Sequence, residues 1–198
     1  METITLASQS ETRRKLLTSA GVEFTTLPAA IDEEEIRSSL ESEGADPAAI
    51  AETLAEHKAR VISRKRPGDL VIGADQILEC EKTIFSKPVD FDTAKDQLTK
   101  LRGKDHQLCS SVVVFHNSER VWHNTDTAHL RMRNFSDDFL NTYIEKLGEK
   151  LLYGPGCYQV EGLGIQLFSR ITGDHFTILG LPLLPLLDYL RLRGAISE

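Results

Sequence analysis

The chain has 198 residues and a net charge of −7, from 23 Lys plus Arg against 30 Asp plus Glu. A protein of this mass buries about 70% of the surface its unfolded chain exposes, so a core can hold it without disulfides or structural metal. The acidic balance, with no long basic block, excludes general nucleic-acid binding, which depends on neutralising phosphates, yet leaves room for one local cationic pocket.

Met1-Glu2-Thr3-Ile4-Thr5 lacks the basic stretch and apolar core of a secretory signal. Ile4 to Ala7 reads as a short apolar strand, and Ser10 offers an N-cap for a helix that carries Leu16, Leu17 and Ala20 inward until Gly21. A strand over Phe24 to Leu27 leads to the acidic run Asp32-Glu33-Glu34-Glu35, and Asp46-Pro47 reads as N-cap and first position of a helix reaching about Ser63. Leu70 to Ala74 is a continuous apolar run of the kind a buried parallel strand shows, delivering Asp75 and Gln76 at its carboxyl end, with a hairpin expected over Gln76 to Phe85. A helix follows from about Thr93 to Leu101. Leu108 to Phe115 and Val121 to Arg133 read as a long hairpin through Asn117-Ser118-Glu119, with Trp122, Ala128, Leu130 and Met132 on one face. Ser136 caps a helix ended by Gly148, a Gly-rich segment runs from Gly154 to Gly164, and a strand is expected over Ile165 to Ile171. Gly173-Asp174 reads as a turn, and a last apolar helix begins near Pro182 or Pro185. The alternation of βα units with hairpins predicts an α/β fold with a mixed, twisted sheet flanked by helices. The longest apolar run, Leu179 to Leu187, holds two prolines and falls short of the roughly 20 residues a bilayer span needs, so a cytoplasmic protein with no membrane partner is expected.

Cys80, Cys109 and Cys157 lie far apart without a CxxC pair, so reduced buried thiols are expected instead of a disulfide framework or a zinc site. The six histidines show no HExxH spacing, and no GxSxG, GxxxxGK[ST] or GxGxxG is present. Ser8-Gln9-Ser10-Glu11-Thr12-Arg13-Arg14 follows the first strand at a helix N-terminus. Free backbone N–H groups, the helix dipole and a guanidinium suit a phosphate there, while ordinary capping by Ser10 with two solvated arginines is the alternative. Lys58 falls inside the buried stripe marked by Ile50, Leu54, Val61 and Ile62. It either pairs with an anion, such as Glu33, Asp75 or a ligand phosphate, or snorkels to water. Asp75 beyond a strand end is placed for a metal or for base catalysis, or else is a turn-forming Asp; Gly73 would permit close approach. Ser86-Lys87-Pro88 adds a second lysine held by a proline, and Tyr158 to Gly164 reads as either a close-approach loop or tight turns.

Taken together, Leu6-Ala7-Ser8-Gln9-Ser10 with Arg13-Arg14, Asp32-Glu33, Lys58, Gly73-Ala74-Asp75-Gln76, Lys87-Pro88, Leu101-Arg102-Gly103, Glu161-Gly162 and Gly180-Leu181-Pro182-Leu183 resemble, in order and spacing, the Maf family of nucleoside triphosphate pyrophosphatases. The likeness spans nearly the whole chain. It implies one Maf-type domain over residues 1–198 related to the inosine triphosphatase fold, usually a homodimer. It also implies cleavage of a nucleoside triphosphate to a monophosphate and pyrophosphate with Mg²⁺ or Mn²⁺, house-cleaning of noncanonical nucleotides, and a link to septum formation. By resemblance, Asp75 is the proton acceptor and Glu33 a metal-linked acid. Ser8, Ser10, Arg13, Lys58 and Lys87 surround the triphosphate, with Arg14 beside them. Positions matching Thr12, Gln76 and Glu161 separate members acting on dTTP and UTP from those acting on 7-methyl-GTP. Gln76 and Glu161 are similar to the second group; Thr12 departs from it, since that group carries a large aromatic residue there, and Glu11 stands where many members have proline.

The implied mechanism is metal-assisted hydrolysis at the α-phosphorus, with Arg13, Lys58, Lys87 and the metal gathered against about four negative charges of a triphosphate and Asp75 taking a proton from water. Distant stretches of the chain are thereby expected to converge on one cavity. The competing readings are a dTTP/UTP pyrophosphatase of the same family, a nucleotide-binding regulator of septum formation without turnover, and a phosphatase removing the terminal phosphate.

Overall fold

The computed structural model describes residues 2–197, whose elements in chain order are β1 (Ile4–Leu6), α1 (Glu11–Ser19), β2 (Thr25–Thr26), α2 (Glu33–Ser42), α3 (Pro47–Lys65), β3 (Leu70–Cys80), β4 (Thr83–Phe85), α4 (Phe91–Leu101), β5 (Asp105–His116), β6 (Glu119–Met132), α5 (Asp137–Leu147), β7 (Phe168–Thr172), α6 (His175–Ile178) and α7 (Leu183–Leu192). The fold is α/β with a mixed, open sheet of seven strands among the described residues. Among the described residues, every α-helix except α7 starts after a capping side chain. Ser10, Asp32, Asp46, Asp90, Ser136 and Asp174 each accept a backbone N–H from the first turn of the helix they precede, satisfying donors that the helix itself leaves unpaired. No helix among the described residues is long and apolar enough to cross a membrane.

The chain divides into two compact units, Met1–Gln76 with Cys109–Thr127 and Asp174–Glu198, and Ile77–Leu108 with Ala128–Gly173. In the first unit, β1 lies between β2 and β3 and pairs parallel with both, Thr5 opposite Thr25 and Val71. Side chains of a strand alternate between faces, and β3 is apolar on both. Leu70, Ile72 and Ala74 pack with Leu6, Leu17, Val112, Leu186 and Leu190 in one layer. Val71 packs with Ala55, Ala59, Ile62 and Val113 in the other. The same alternation sends Asp75 to the α3 side and Gln76 to the opposite side. Gly73 is what admits α3: a Cβ there would sit 2.1 Å from Ala55 O and 2.8 Å from Ala59 Cβ. The close approach that glycine permits is thus to a helix backbone.

In the second unit, the end of β3 pairs antiparallel with β4, Leu78 opposite Phe85, through a tight turn in which Glu81 and Lys82 both take positive φ. β6 pairs antiparallel with β7, Leu130 opposite Ile171. Leu98, Leu101, Leu108, Leu130, Met132, Leu140 and Tyr143 fill the core of this unit.

Three expectations are corrected. β3 does not end at Ala74 but continues to Cys80, so Asp75 and Gln76 are mid-strand; the strand that ends beside them is β1, whose pairing stops at Ile72. The strand expected from Ile165 begins at Phe168, because Leu163–Leu167 forms a 3₁₀ turn: Gly164 packs so tightly on Gln159, 2.6 Å from its oxygen to the place of a Cβ, that the chain folds back instead of extending. Asp174 is more than a turn residue, since it caps the short helix α6.

Candidate active site

The β1–α1 connection builds the first wall. Ser8 Oγ accepts from Ser10 N at 3.1 Å, and Ser10 Oγ caps α1 by accepting from Arg13 N at 3.3 Å. Arg13, one turn into α1, is 8% exposed. A buried guanidinium needs partners, and Nε donates to Gly180 O at 2.7 Å while Nη1 donates to Ala74 O at 2.8 Å and to Ser8 Oγ at 3.4 Å. Nη2 is left without a protein acceptor among the described residues. Burial pushes this guanidinium below its ordinary pKa, and the charges of Asp75 and Glu33 push the other way, so it stays cationic close to two carboxylates.

Those carboxylates meet at Lys58. The buried face of α3 runs through Ile50, Leu54, Lys58 and Ile62, so the ammonium enters the interior on the side of the sheet that Asp75 faces. Lys58 Nζ lies 2.6 Å from Asp75 Oδ1 and 2.9 Å from Glu33 Oε2. Lys58 therefore pairs with both acids instead of snorkelling to water, and Asp75 is a buried strand residue and no turn former. Glu33 opens α2, with half of its side chain exposed. Glu33 and Asp75, two acids converging on one point, are the residues that could hold a divalent cation of the Mg²⁺ kind. Such a cation keeps several waters and takes one or two carboxylates plus substrate phosphate oxygens, and needs no cage made wholly of protein.

On the other side of β3, Gln76 Nε2 donates to Ser110 Oγ at 2.9 Å, Thr177 O at 3.0 Å and Ile178 O at 3.1 Å. Ser110 Oγ in turn donates to Thr177 O at 2.7 Å, and Thr177 Oγ1 donates to Asp126 at 2.6 Å. The amide nitrogen of Gln76 is committed to the protein, so its oxygen is the atom left to meet a ligand. Sequence reasoning missed Ser110, Thr177 and Asp126. Two consecutive serines, Ser110 and Ser111, inside an apolar strand were the available signal, since both are fully buried.

Ser8, Ser10, Arg13, Glu33, Lys58, Asp75 and Gln76 thus belong to one unit and to linked sets of contacts. Thr12 is half-buried and Arg14 exposed, neither within those hydrogen bonds. Lys87 and Glu161 are carried by the second unit and are both exposed, Lys87 between buried Phe85 and Pro88, Glu161 in the turn where Gly162 N donates to Gln159 O at 3.2 Å. The three cysteines are buried, as expected, and burial pushes the Cys157 thiol up to about 12, leaving it unreactive.

The family described as Maf-like protein matches residues 3–193 of the chain. The chain belongs to the Maf family. It is 51% identical over 189 residues, 96% of this chain and 97% of the relative, to the nucleoside triphosphate pyrophosphatase of Paramagnetospirillum magneticum. It is 48% identical over 188 residues, 95% of this chain and 94% of the relative, to the 7-methyl-GTP pyrophosphatase of Brucella abortus. The nucleoside triphosphate pyrophosphatase 1 of a Jannaschia species is 45% identical over the full length of both chains. Against these Maf relatives, the acid–lysine–acid contact and the buried arginine lie within a region similar from end to end.

Proposed function

We propose that this Maf protein hydrolyses a nucleoside triphosphate between the α- and β-phosphates, releasing a nucleoside monophosphate and pyrophosphate. The observation that carries the reading is the contact of Lys58 with Asp75 and Glu33, beside the N-terminus of α1 and the buried Arg13. Asp75 Oδ1 is held by Lys58, which leaves Oδ2 to take a proton from the attacking water. Arg13 Nη2 and the α1 amides bind phosphate oxygens and stabilise the charge gathering on the leaving pyrophosphate, and the family resemblance adds Lys87 as a phosphate contact. Glu33 and Asp75 are the residues that would hold Mg²⁺ or Mn²⁺, and the ion would supply neutralisation of phosphate charge. Relatives of near-identical length named for this activity support the assignment.

For the base, the reading is a guanine-type substrate such as 7-methyl-GTP. Gln76 offers an oxygen, an acceptor that suits the donors of guanine, and the family resemblance adds Glu161, whose carboxylate suits the same donors and favours the positive ring of the methylated base. A relative named 7-methyl-GTP pyrophosphatase supports this. Such an activity removes noncanonical nucleotides from the free pool, which puts the protein in the cytoplasm, and the family resemblance adds a homodimer. The test is product analysis over a panel of nucleoside triphosphates with Mg²⁺. Pyrophosphate as product, with 7-methyl-GTP leading in kcat/KM, is expected. Orthophosphate plus a diphosphate contradicts the site of cleavage; a lead for dTTP or UTP contradicts the assignment of the base; binding without release makes the protein a regulator instead.

A further inference from the structure

Gln97 lies on α4 among Ala94, Leu98 and Leu101, on the face the helix buries, and is 8% exposed. A carboxamide in that position is costly unless its donors and acceptor are met. They are met by two loops. Nε2 donates to Ser86 O at 2.8 Å, while Oε1 accepts from Gly156 N at 3.2 Å and from the Cys157 thiol at 3.4 Å.

Each loop runs directly into a side chain assigned to the substrate. Ser86 precedes Lys87, and with Phe85 and Pro88 buried on either side, a tie on the Ser86 carbonyl fixes the backbone from which the exposed lysine extends. Gly156 and Cys157 lead toward Glu161 and need holding. Both take positive φ, and a Cβ on Gly156 would sit 2.6 Å from both Leu78 Cδ1 and Tyr158 Cε1. Cys157 O accepts from Tyr143 Oη at 3.1 Å, and Tyr158 Oη meets His106 Nε2 at 2.9 Å, and the tie from Gln97 adds to this set of bonds holding the stretch.

We propose that Gln97 is a positioning residue: through Ser86 it sets where the Lys87 ammonium is presented to substrate phosphate, and the same amide couples that loop to the one bearing Glu161. The inference rests on the reading of Lys87 as a phosphate contact. Misplacing a charged group by about 1 Å costs about a hundredfold in rate, so an indirect tie can have a large kinetic effect.

The experiment measures kcat and KM for pyrophosphate release in wild type, Gln97→Glu, Lys87→Met and the double variant, with thermal melts on all four. Gln97→Glu keeps shape and acceptor but loses the donor to Ser86. It is expected to lower kcat/KM about tenfold or more in the wild-type background and by less than about twofold once Lys87 is already methionine, because residues acting through one another are non-additive. Gln97→Met carries the same expectations should the glutamate variant fail to fold. Equal losses in both backgrounds would make Gln97 a packing residue and overturn the proposal, as would unchanged turnover in Gln97→Glu. Unchanged turnover in Lys87→Met would instead overturn the reading of Lys87 on which the proposal stands.

Discussion

Lys58 ties stability to the proposed chemistry, because one nearly buried ammonium serves two acids. Replacing it by methionine fills a similar volume but strands Asp75 in the interior beside a second carboxylate. Breaking a buried pair from one side costs about 3–5 kcal/mol, toward the low end here since Glu33 is half exposed. A lowered urea midpoint together with lost turnover is expected of Lys58→Met; an unchanged midpoint would show that the pair contributes nothing to the fold. His106 makes a separate prediction. Burial lowers its pKa to about 4 from 6.5, so as the pH falls through that interval the unfolded chain binds a proton that the folded one refuses. Stability should fall by about 3 kcal/mol across the window and level off below it. His106→Gln, which cannot take up that proton, should flatten the curve of denaturation midpoint against pH between 7 and about 4; an unaltered slope would count against a buried neutral imidazole. Lys58 was legible in the sequence because the helical period placed a charged residue where an apolar one belongs, and Asp75 because an acid follows directly on a continuous apolar run, though it reads there as a strand-end residue and lies within the strand. Gln97 breaks the same rule on α4, and Ser110 on β5, yet neither carries a charge, and uncharged polar residues in a buried stripe are too common to stand out.

Among the elements, the contact between α3 and β3 decides whether the acids and the lysine meet at all. Gly73 lets the α3 backbone approach, and an added Cβ would fall 2.1 Å from Ala55 O, a clash that backbone cannot relieve by rotating. Gly73→Ala should therefore force the helix outward, destabilise the protein by about 1–3 kcal/mol as overpacking does, and reduce turnover by lengthening the Lys58–Asp75 pair. Full stability and full turnover in that variant would show that the approach is not needed. The helix starts at Ser10, Asp46 and Ser136 were readable because a side chain there satisfies an N–H group of the first turn, a local signal, whereas the caps Asp32 and Asp174 read as an acidic run and a turn, and α7 starts with no side-chain cap. The extent of β3 was not readable, since nothing local distinguishes a strand that ends at Ala74 from one that exchanges a parallel neighbour, β1, for an antiparallel one, β4. The 3₁₀ turn at Leu163–Leu167 escaped for a related reason: its apolar spacing imitates a strand, and only the packing of Gly164 on Gln159 reveals the fold-back.

For the molecule as a whole, a net charge of −7 sets the terms on which it can bind a highly charged anion. On the proposed reading, the answer is local concentration of Arg13, Lys58, helix amides and a divalent ion, not a global field. On the same reading the ion is expected to serve the reaction and not the fold, because the cores of both units are built from apolar side chains. Chelation by EDTA should therefore stop pyrophosphate release reversibly while leaving the melting temperature unchanged; a large drop in melting temperature would assign the metal a structural role. The most direct test of the account remains Asp75→Asn, assayed for pyrophosphate release with Mg²⁺ and for nucleotide binding by calorimetry. Release reduced by about a hundredfold or more, with binding retained, is the predicted result for loss of the proton acceptor. Release close to that of the unaltered protein would contradict it.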